Sequence, residues 1–106
     1  MGPLITPEAR RNVEEKVREA VKEGAIVITG GKAMPDLGPA FFQPTVLTDV
    51  DVRSRLWRDE TFGPVVAVRS FEDEDEAVRL ANDTRSGLAS YFCTRDLARA
   101  FRVAGR

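Results

Sequence analysis

Apolar residues in the first part of the chain recur every three or four positions, the spacing of one face of an α-helix. Thr6 and Pro7 form a typical N-cap and first helical residue, and Gly24 is a typical C-terminal stop. We therefore predict a helix over about residues 7–23. Its apolar stripe consists of Ala9, Val13, Val17, Ala20 and Val21.

Later stretches rich in β-branched and aromatic residues, bounded by Gly, Pro or polar residues, follow the pattern of strands. They predict strands over residues 25–29, 41–48 and 64–71. The 64–71 stretch is apolar at most positions, so we expect both of its faces to be covered. The apolar residues from Leu88 to Thr94 predict a further strand.

Two more helices are predicted in the second half of the chain. A run of acids over residues 72–76 precedes helical apolar spacing, and acids at a helix start are stabilised by the helix dipole, so we predict a helix over 73–82. Asp96 caps a final helix, and residues 54–59 are predicted to form one helical turn. Strands that alternate with helices predict an α/β fold: a layered sheet of about three to four strands with flanking helices and at least one parallel pair.

Composition and charge narrow the classes of function. The 106 residues fit one domain, and a net charge of −1 from 16 basic and 17 acidic residues predicts neither a nucleic-acid nor a membrane partner. A single cysteine permits no internal disulfide, and with no apolar run long enough to span a membrane we expect a cytoplasmic protein. The absence of histidine excludes a histidine base, a Ser-His or Cys-His pair and a His-containing zinc site.

The most informative segment runs from Glu60 to Pro64. The Glu60 carboxylate can accept two hydrogen bonds from neighbouring hydroxyls, as on a ribose, and Phe62 offers a flat apolar face to a planar ring. Gly63 permits a close approach, and Pro64 fixes the direction of the chain. The alternative interpretation is a turn carboxylate and a core aromatic, and composition alone favours that alternative.

Other candidate features favour structural roles. Cys93 lies in an apolar run with no histidine or glycine-rich turn nearby, which predicts a buried structural cysteine rather than a nucleophile. The acids of residues 72–76 are typical of a solvated helix start, so we expect no metal site there. Gly30 and Gly31 predict a turn, because they lack the spacing of a phosphate-binding loop.

The chain resembles the aldehyde dehydrogenase superfamily in several separated motifs that occur in the family's order. These motifs are Gly2-Pro3-Leu4-Ile5, Gly24-Ala25 with Gly30-Gly31, Phe42-Gln43-Pro44-Thr45-Val46-Leu47, Glu60-Thr61-Phe62-Gly63-Pro64-Val65, Ala81-Asn82-Asp83-Thr84, Gly87-Leu88-Ala89 and Thr94-Arg95-Asp96. Within the superfamily, residues 41–45, residues 81–84 and the Tyr91-Phe92 pair look most like the succinate-semialdehyde dehydrogenase group.

The resemblance implies oxidation of an aldehyde to a carboxylic acid with NAD or NADP, with succinate semialdehyde as the substrate of the intact enzyme. In the family a cysteine attacks the aldehyde, hydride passes to the nicotinamide, and water releases the thioester. Glu60 matches the family glutamate that binds the nicotinamide ribose hydroxyls. Phe62 matches the phenylalanine that packs beside the nicotinamide ring. The resemblance thus implies Glu60 and Phe62 as cofactor-binding residues.

The resemblance also implies that much of the enzyme lies outside this chain. The family's catalytic cysteine, general-base glutamate, oxyanion-hole asparagine and cofactor-binding domain precede the matching sequence. Residues 1–106 are therefore expected to form a single partial catalytic domain without catalytic residues of its own. We expect it to be inactive alone, to hold no cofactor, and to meet an aldehyde only in the intact enzyme. The alternative is a stand-alone interaction or assembly module that self-associates through exposed strand edges.

Overall fold

A computed structural model describes residues 1–106. The packing divides the chain into two compact units, residues 1–70 and residues 71–106, and each is described by itself. No helix is long and apolar enough to cross a membrane, and the longest has 16 residues.

The first unit begins with the predicted helix, α1, over Pro7–Lys22. Its start is fixed locally, because the Thr6 hydroxyl accepts a hydrogen bond from the Ala9 amide at 3.0 Å. The chain leaves the helix through Gly24, whose φ of 110° lies in a region that favours glycine. The sequence prediction of 7–23 is confirmed to within one residue.

Three strands follow, β1 (Ile26–Thr29), β2 (Thr45–Thr48) and β3 (Val65–Val68), in the sheet order β1-β2-β3. The β1–β2 pair is antiparallel with an irregularity in register near the end of β1, and the β2–β3 pair is parallel. A short helix, α2 (Arg55–Arg58), lies in the connection between the two parallel strands. The predicted α/β class, helical turn and parallel pair are confirmed.

The core of this unit lies where α1 and α2 meet one face of the sheet. Buried apolar side chains come from α1, α2, β2 and the connecting segments, and Val65 and Ala67 of β3 pack against them. The buried set is Val13, Val17, Ala20, Ala25, Phe42, Leu47, Val50 and Leu56. Because the inward residues alternate along β2 and β3, the sheet presents only one face to this core.

Two strand predictions need correction. The predicted strand 41–48 is shorter: β2 begins after Pro44, which has no amide hydrogen to donate, and Phe42 forms only an isolated bridge with Ala33. The prediction that both faces of 64–71 are covered is wrong, since Val66 and Val68 of β3 are 57% and 46% exposed. The helices of the unit pack on the opposite face and leave these valines uncovered.

The second unit contains the two predicted helices, α3 (Glu74–Asn82) and α4 (Leu97–Ala104). Both begin with aspartate caps: Asp73 accepts from the Glu76 amide, and Asp96 accepts from the first amides of α4. Glu74 joins the helices, because Arg102 of α4 donates two hydrogen bonds of 2.7 Å to its carboxylate. These bonds and the charges of Arg102 and Arg99 lower the pKa of Glu74 to about 2, so the carboxylate stays ionised near neutral pH.

The predicted strand over residues 88–94 is wrong. This segment has no backbone ladder, and a strand needs a hydrogen-bonding neighbour. Its side chains are therefore not sandwiched in a sheet: Leu88 and Tyr91 are exposed, and so is Cys93. The prediction of a buried structural cysteine is wrong for the same reason.

Candidate functional site

The segment from Glu60 to Pro64, here called the Glu60–Pro64 loop, connects α2 to β3. The loop starts after a well-defined helix end: the Ser54 hydroxyl caps α2 by accepting from the Trp57 amide at 3.2 Å. Asp59 then takes an extended conformation, with its amide still bonded to the Arg55 carbonyl at 2.9 Å. The chain therefore enters the loop in a defined direction.

Helix α1 holds the start of the loop through a buried lysine. Lys16 is only 5% exposed, and its Nζ donates a 2.9 Å hydrogen bond to the backbone carbonyl of Glu60. The same nitrogen lies 3.5 Å from the Thr61 hydroxyl, which itself lies 3.5 Å from the Asp59 carbonyl oxygen. A charged group forms stronger hydrogen bonds than a neutral one, so this contact ties the loop to the helix.

The end of the loop is held by close packing and by the sheet. A Cβ placed on Gly63 would lie 2.7 Å from Cγ2 of Val13, so the backbone of Gly63 rests directly on α1. Only glycine allows this approach. The Pro64 carbonyl accepts a 2.8 Å hydrogen bond from the amide of Thr45 at the start of β2. Both ends of the loop are thus attached to the core unit.

The two side chains of interest project from this anchored backbone towards solvent. Glu60 is exposed, and its carboxylate makes no hydrogen bond or ion pair within the chain. Phe62 is 79% exposed and is not part of the core. The arrangement is a fixed backbone that presents an anionic acceptor and an aromatic face two residues apart. Such a surface is suited to a ligand that combines hydroxyl groups with a planar ring.

The other candidate features of the sequence do not form a second functional site. No group of three or more His, Cys, Asp or Glu side chains is arranged to hold a metal ion. Gly30 and Gly31 lie in the bend after β1 with φ of 76° and 85°, and the Gly31 amide donates to the Thr45 hydroxyl at 2.7 Å. The acids of residues 72–76 open α3, as predicted.

Sequence reasoning missed Lys16, whose Nζ donates a hydrogen bond to the Glu60 carbonyl in the Glu60–Pro64 loop. The spacing of residues along α1 nevertheless contained a signal for this lysine. Lys16 lies three residues after Val13 and directly before Val17, so helical spacing places it on the apolar stripe. A lysine at such a position is buried only when its ammonium group finds polar partners, and these partners come from the distant loop.

Comparisons with known proteins agree with the fold and the motifs. The profile of the aldehyde dehydrogenase family matches residues 1–106. The glutarate-semialdehyde dehydrogenase of Pseudomonas aeruginosa is 52% identical over 97% of this chain and 21% of its own length. The NADP-dependent succinate-semialdehyde dehydrogenase of Escherichia coli is 48% identical over 97% of this chain and 21% of its own length.

A solved structure gives the same result in three dimensions. The succinate-semialdehyde dehydrogenase of Burkholderia pseudomallei superimposes with a TM-score of 0.91 at 47% identity, covering 99% of this chain and 22% of that one. The chain thus spans about a fifth of the length of the relatives it matches. Because the family profile matches from the first residue to the last, this chain belongs to the aldehyde dehydrogenase family.

Proposed function

We propose that residues 1–106 are a partial catalytic domain of an NAD- or NADP-dependent aldehyde dehydrogenase and contribute Glu60 and Phe62 to its nicotinamide site. The observation that carries the proposal is the anchored Glu60–Pro64 loop, whose backbone is fixed while both side chains stay exposed. The membership of the chain in the family supports the assignment.

Glu60 would bind the two hydroxyls of the nicotinamide ribose. A carboxylate has two acceptor oxygens that can each take one of two neighbouring hydroxyl hydrogens. Its exposed position and its lack of an ion pair leave both oxygens available to a ligand. Because the Glu60 carbonyl is bonded to Lys16, the carboxylate projects from a fixed backbone and less backbone entropy is lost on binding.

Phe62 would pack against the nicotinamide ring and limit its position. An aromatic face next to a planar ring favours offset or edge-to-face contact and excludes water from one side. The bound cofactor supplies hydride acceptance, while this chain binds and orients it. Positioning of this kind lowers the barrier because the reacting groups are held in the productive geometry.

The substrate we propose is a short aldehyde with a carboxylate at its far end. The named relatives at about half identity oxidise succinate or glutarate semialdehyde, and both compounds have this form. We assign no catalytic group within residues 1–106. Cys93 is exposed and lies outside the Glu60–Pro64 loop, so it is not proposed as the nucleophile.

The test is a graft in which residues 1–106 replace the matching segment of the E. coli succinate-semialdehyde dehydrogenase. We expect the grafted enzyme to reduce NADP with succinate semialdehyde. Glu60→Gln should raise the KM for NADP about tenfold or more, because a hydrogen bond to a charged group contributes about 1.5–3 kcal/mol and 1.4 kcal/mol is a factor of ten. Reduced cofactor formed at varied NADP concentrations is the measurement.

Glu15→Gln is the matched control, since Glu15 is exposed on α1 and has no ion pair. Glu15→Gln should leave the KM for NADP and the kcat of the graft unchanged. An unchanged KM for NADP in the Glu60→Gln graft would refute the role of Glu60. The 106-residue chain alone should form no reduced cofactor. Turnover by it would contradict the proposal that residues 1–106 hold no catalytic group.

A second candidate function is an interaction or assembly module, favoured by the uncovered apolar side chains of the sheet. Ile26 and Ile28 of β1 are 52% and 61% exposed, and β1 lies at an edge of the sheet. An exposed apolar edge strand is a template for pairing with another chain. On this view the purified chain forms dimers or larger species through β1.

Light scattering coupled to size exclusion tests this second candidate. We expect the average mass to rise with concentration, and Ile28→Lys to shift the population towards monomer, because a charged side chain on an edge strand disfavours pairing. Leu37→Lys, at a similarly exposed loop position, is the control. A monomer at every concentration would exclude the assembly function.

A further inference from the structure

We infer that Lys16 is a positioning residue for the cofactor, acting through the backbone of Glu60. The inference rests on the proposed function of Glu60. Lys16 does not project into solvent beside Glu60 and Phe62, because it is 5% exposed and its Nζ ends on the Glu60 carbonyl. Its role is to hold the residue that binds, and it makes no contact with the ligand itself.

The burial of Lys16 is the first argument. A buried ammonium group loses its hydration and is rarely found without an ion pair. Lys16 forms none of the ion pairs of the chain, and its partners are the Glu60 carbonyl and the Thr61 hydroxyl. An apolar side chain of similar length would fill the same stripe without this desolvation penalty. The lysine therefore costs stability that its position in the core does not require.

The geometry of the two anchors is the second argument. Lys16 and Val13 are three residues apart on one face of α1, and they meet the two ends of the loop at Glu60 and Gly63. The helix is thus a rigid support under residues 60–63. Removal of the Lys16 contact leaves the Gly63 end seated on Val13 and frees the Glu60 end. The Glu60 carboxylate then samples more directions, and less of the population is ready to bind.

The first experiment uses the 106-residue chain and needs no cofactor. We expect Lys16→Met to change the carbonyl-carbon chemical shift of Glu60 and to lower the amide heteronuclear NOE of residues 60–62, with β2 unchanged. Lys22→Met is the matched control, because Lys22 is exposed at the end of the same helix. The stability of Lys16→Met in urea should be equal to or above that of the parent chain, which a purely structural lysine would not allow.

The second experiment uses the grafted enzyme. Lys16→Met should raise the KM for NADP about five- to tenfold, because we expect the binding-competent orientation of Glu60 to fall to about a fifth to a tenth of the population. The KM for the semialdehyde should stay the same, and Lys16→Arg, which keeps the charge and the donors, should recover most of the affinity. Lys16→Gln, one bond shorter and still a donor, should be intermediate. It serves as a second variant whose folding does not depend on an apolar replacement.

The outcomes separate the two proposals. One outcome is that Lys16→Met loosens residues 60–62 while Glu60→Gln leaves the KM for NADP of the graft unchanged. This result would support the anchoring of the loop by Lys16 and refute the cofactor role of Glu60. A Glu60→Gln effect together with an unchanged loop in Lys16→Met would overturn the inference about Lys16. An equal rise of both Michaelis constants, or a loss of stability in every Lys16 variant, would also overturn it.

Discussion

Gly30→Ala is expected to lower the free energy of unfolding of residues 1–70 by about 2–5 kcal/mol, since left-handed strain contributes about 1–2 kcal/mol and overpacking about 1–3 kcal/mol. Gly30 has a φ of 76°, which a residue with a Cβ adopts only with strain. The added Cβ would lie 2.1 Å from the Pro44 carbonyl oxygen and 2.7 Å from the Thr45 hydroxyl. Both atoms belong to the entry of β2 and cannot move without disturbing the sheet.

Gly24→Ala is the matched control for this variant. Gly24 also has a positive φ, 110°, but nothing lies within 4 Å of its added Cβ. Gly24→Ala should therefore lower the free energy of unfolding by the backbone strain alone, about 1–2 kcal/mol. Urea unfolding measures the stability of both variants. It is followed by the fluorescence of Trp57, which is the single tryptophan and belongs to the first unit. Equal losses in the two variants would show that the contact with Pro44 is not rigid.

Leu47→Ala is expected to lower the free energy of unfolding of the same unit by about 2–5 kcal/mol. Leu47 is 0% exposed at the centre of β2 and is one of the two largest fully buried side chains. Its removal loses apolar burial and leaves a cavity that the surrounding helix and strand residues fill only in part. The same tryptophan signal in urea provides the measurement.

Leu37→Ala tests whether burial is the cause. Leu37 is 58% exposed in the segment between β1 and β2, so its truncation should change stability by less than about 0.5 kcal/mol. A loss as large as that of Leu47→Ala would mean that leucine at position 37 packs against the core. A loss below about 1 kcal/mol for Leu47→Ala would contradict the central position of β2 in the core.

Local chemistry is the reason that the helices were predictable from sequence. Thr6, Asp73 and Asp96 each accept amide hydrogens within the first turn of the helix that follows, so the start of each helix depends only on neighbouring residues. The apolar stripe of α1 then marks its buried face. Both kinds of information lie within a few residues and need no knowledge of the fold.

Strand predictions failed where the outcome depended on distant partners. Residues 88–94 have strand composition but no neighbour that offers hydrogen bonds, so they form no strand and Cys93 is exposed. The residues of β3 are apolar on both sides, yet Val66 and Val68 stay uncovered because the helices pack on the other face. Composition reports what a segment can bury, and the sheet order decides what it does bury.

The sequence by itself determined the helix starts, the α/β class, the family motifs and the identity of Glu60 and Phe62 as candidates. Each of these depends on consecutive residues or on short-range spacing. Only the tertiary structure decided that Lys16, 44 residues before Glu60, holds the loop carbonyl, and that Gly63 rests on Val13. Contacts of this kind arise from the packing of α1 against the loop, and no local pattern of residues specifies which distant atoms will meet.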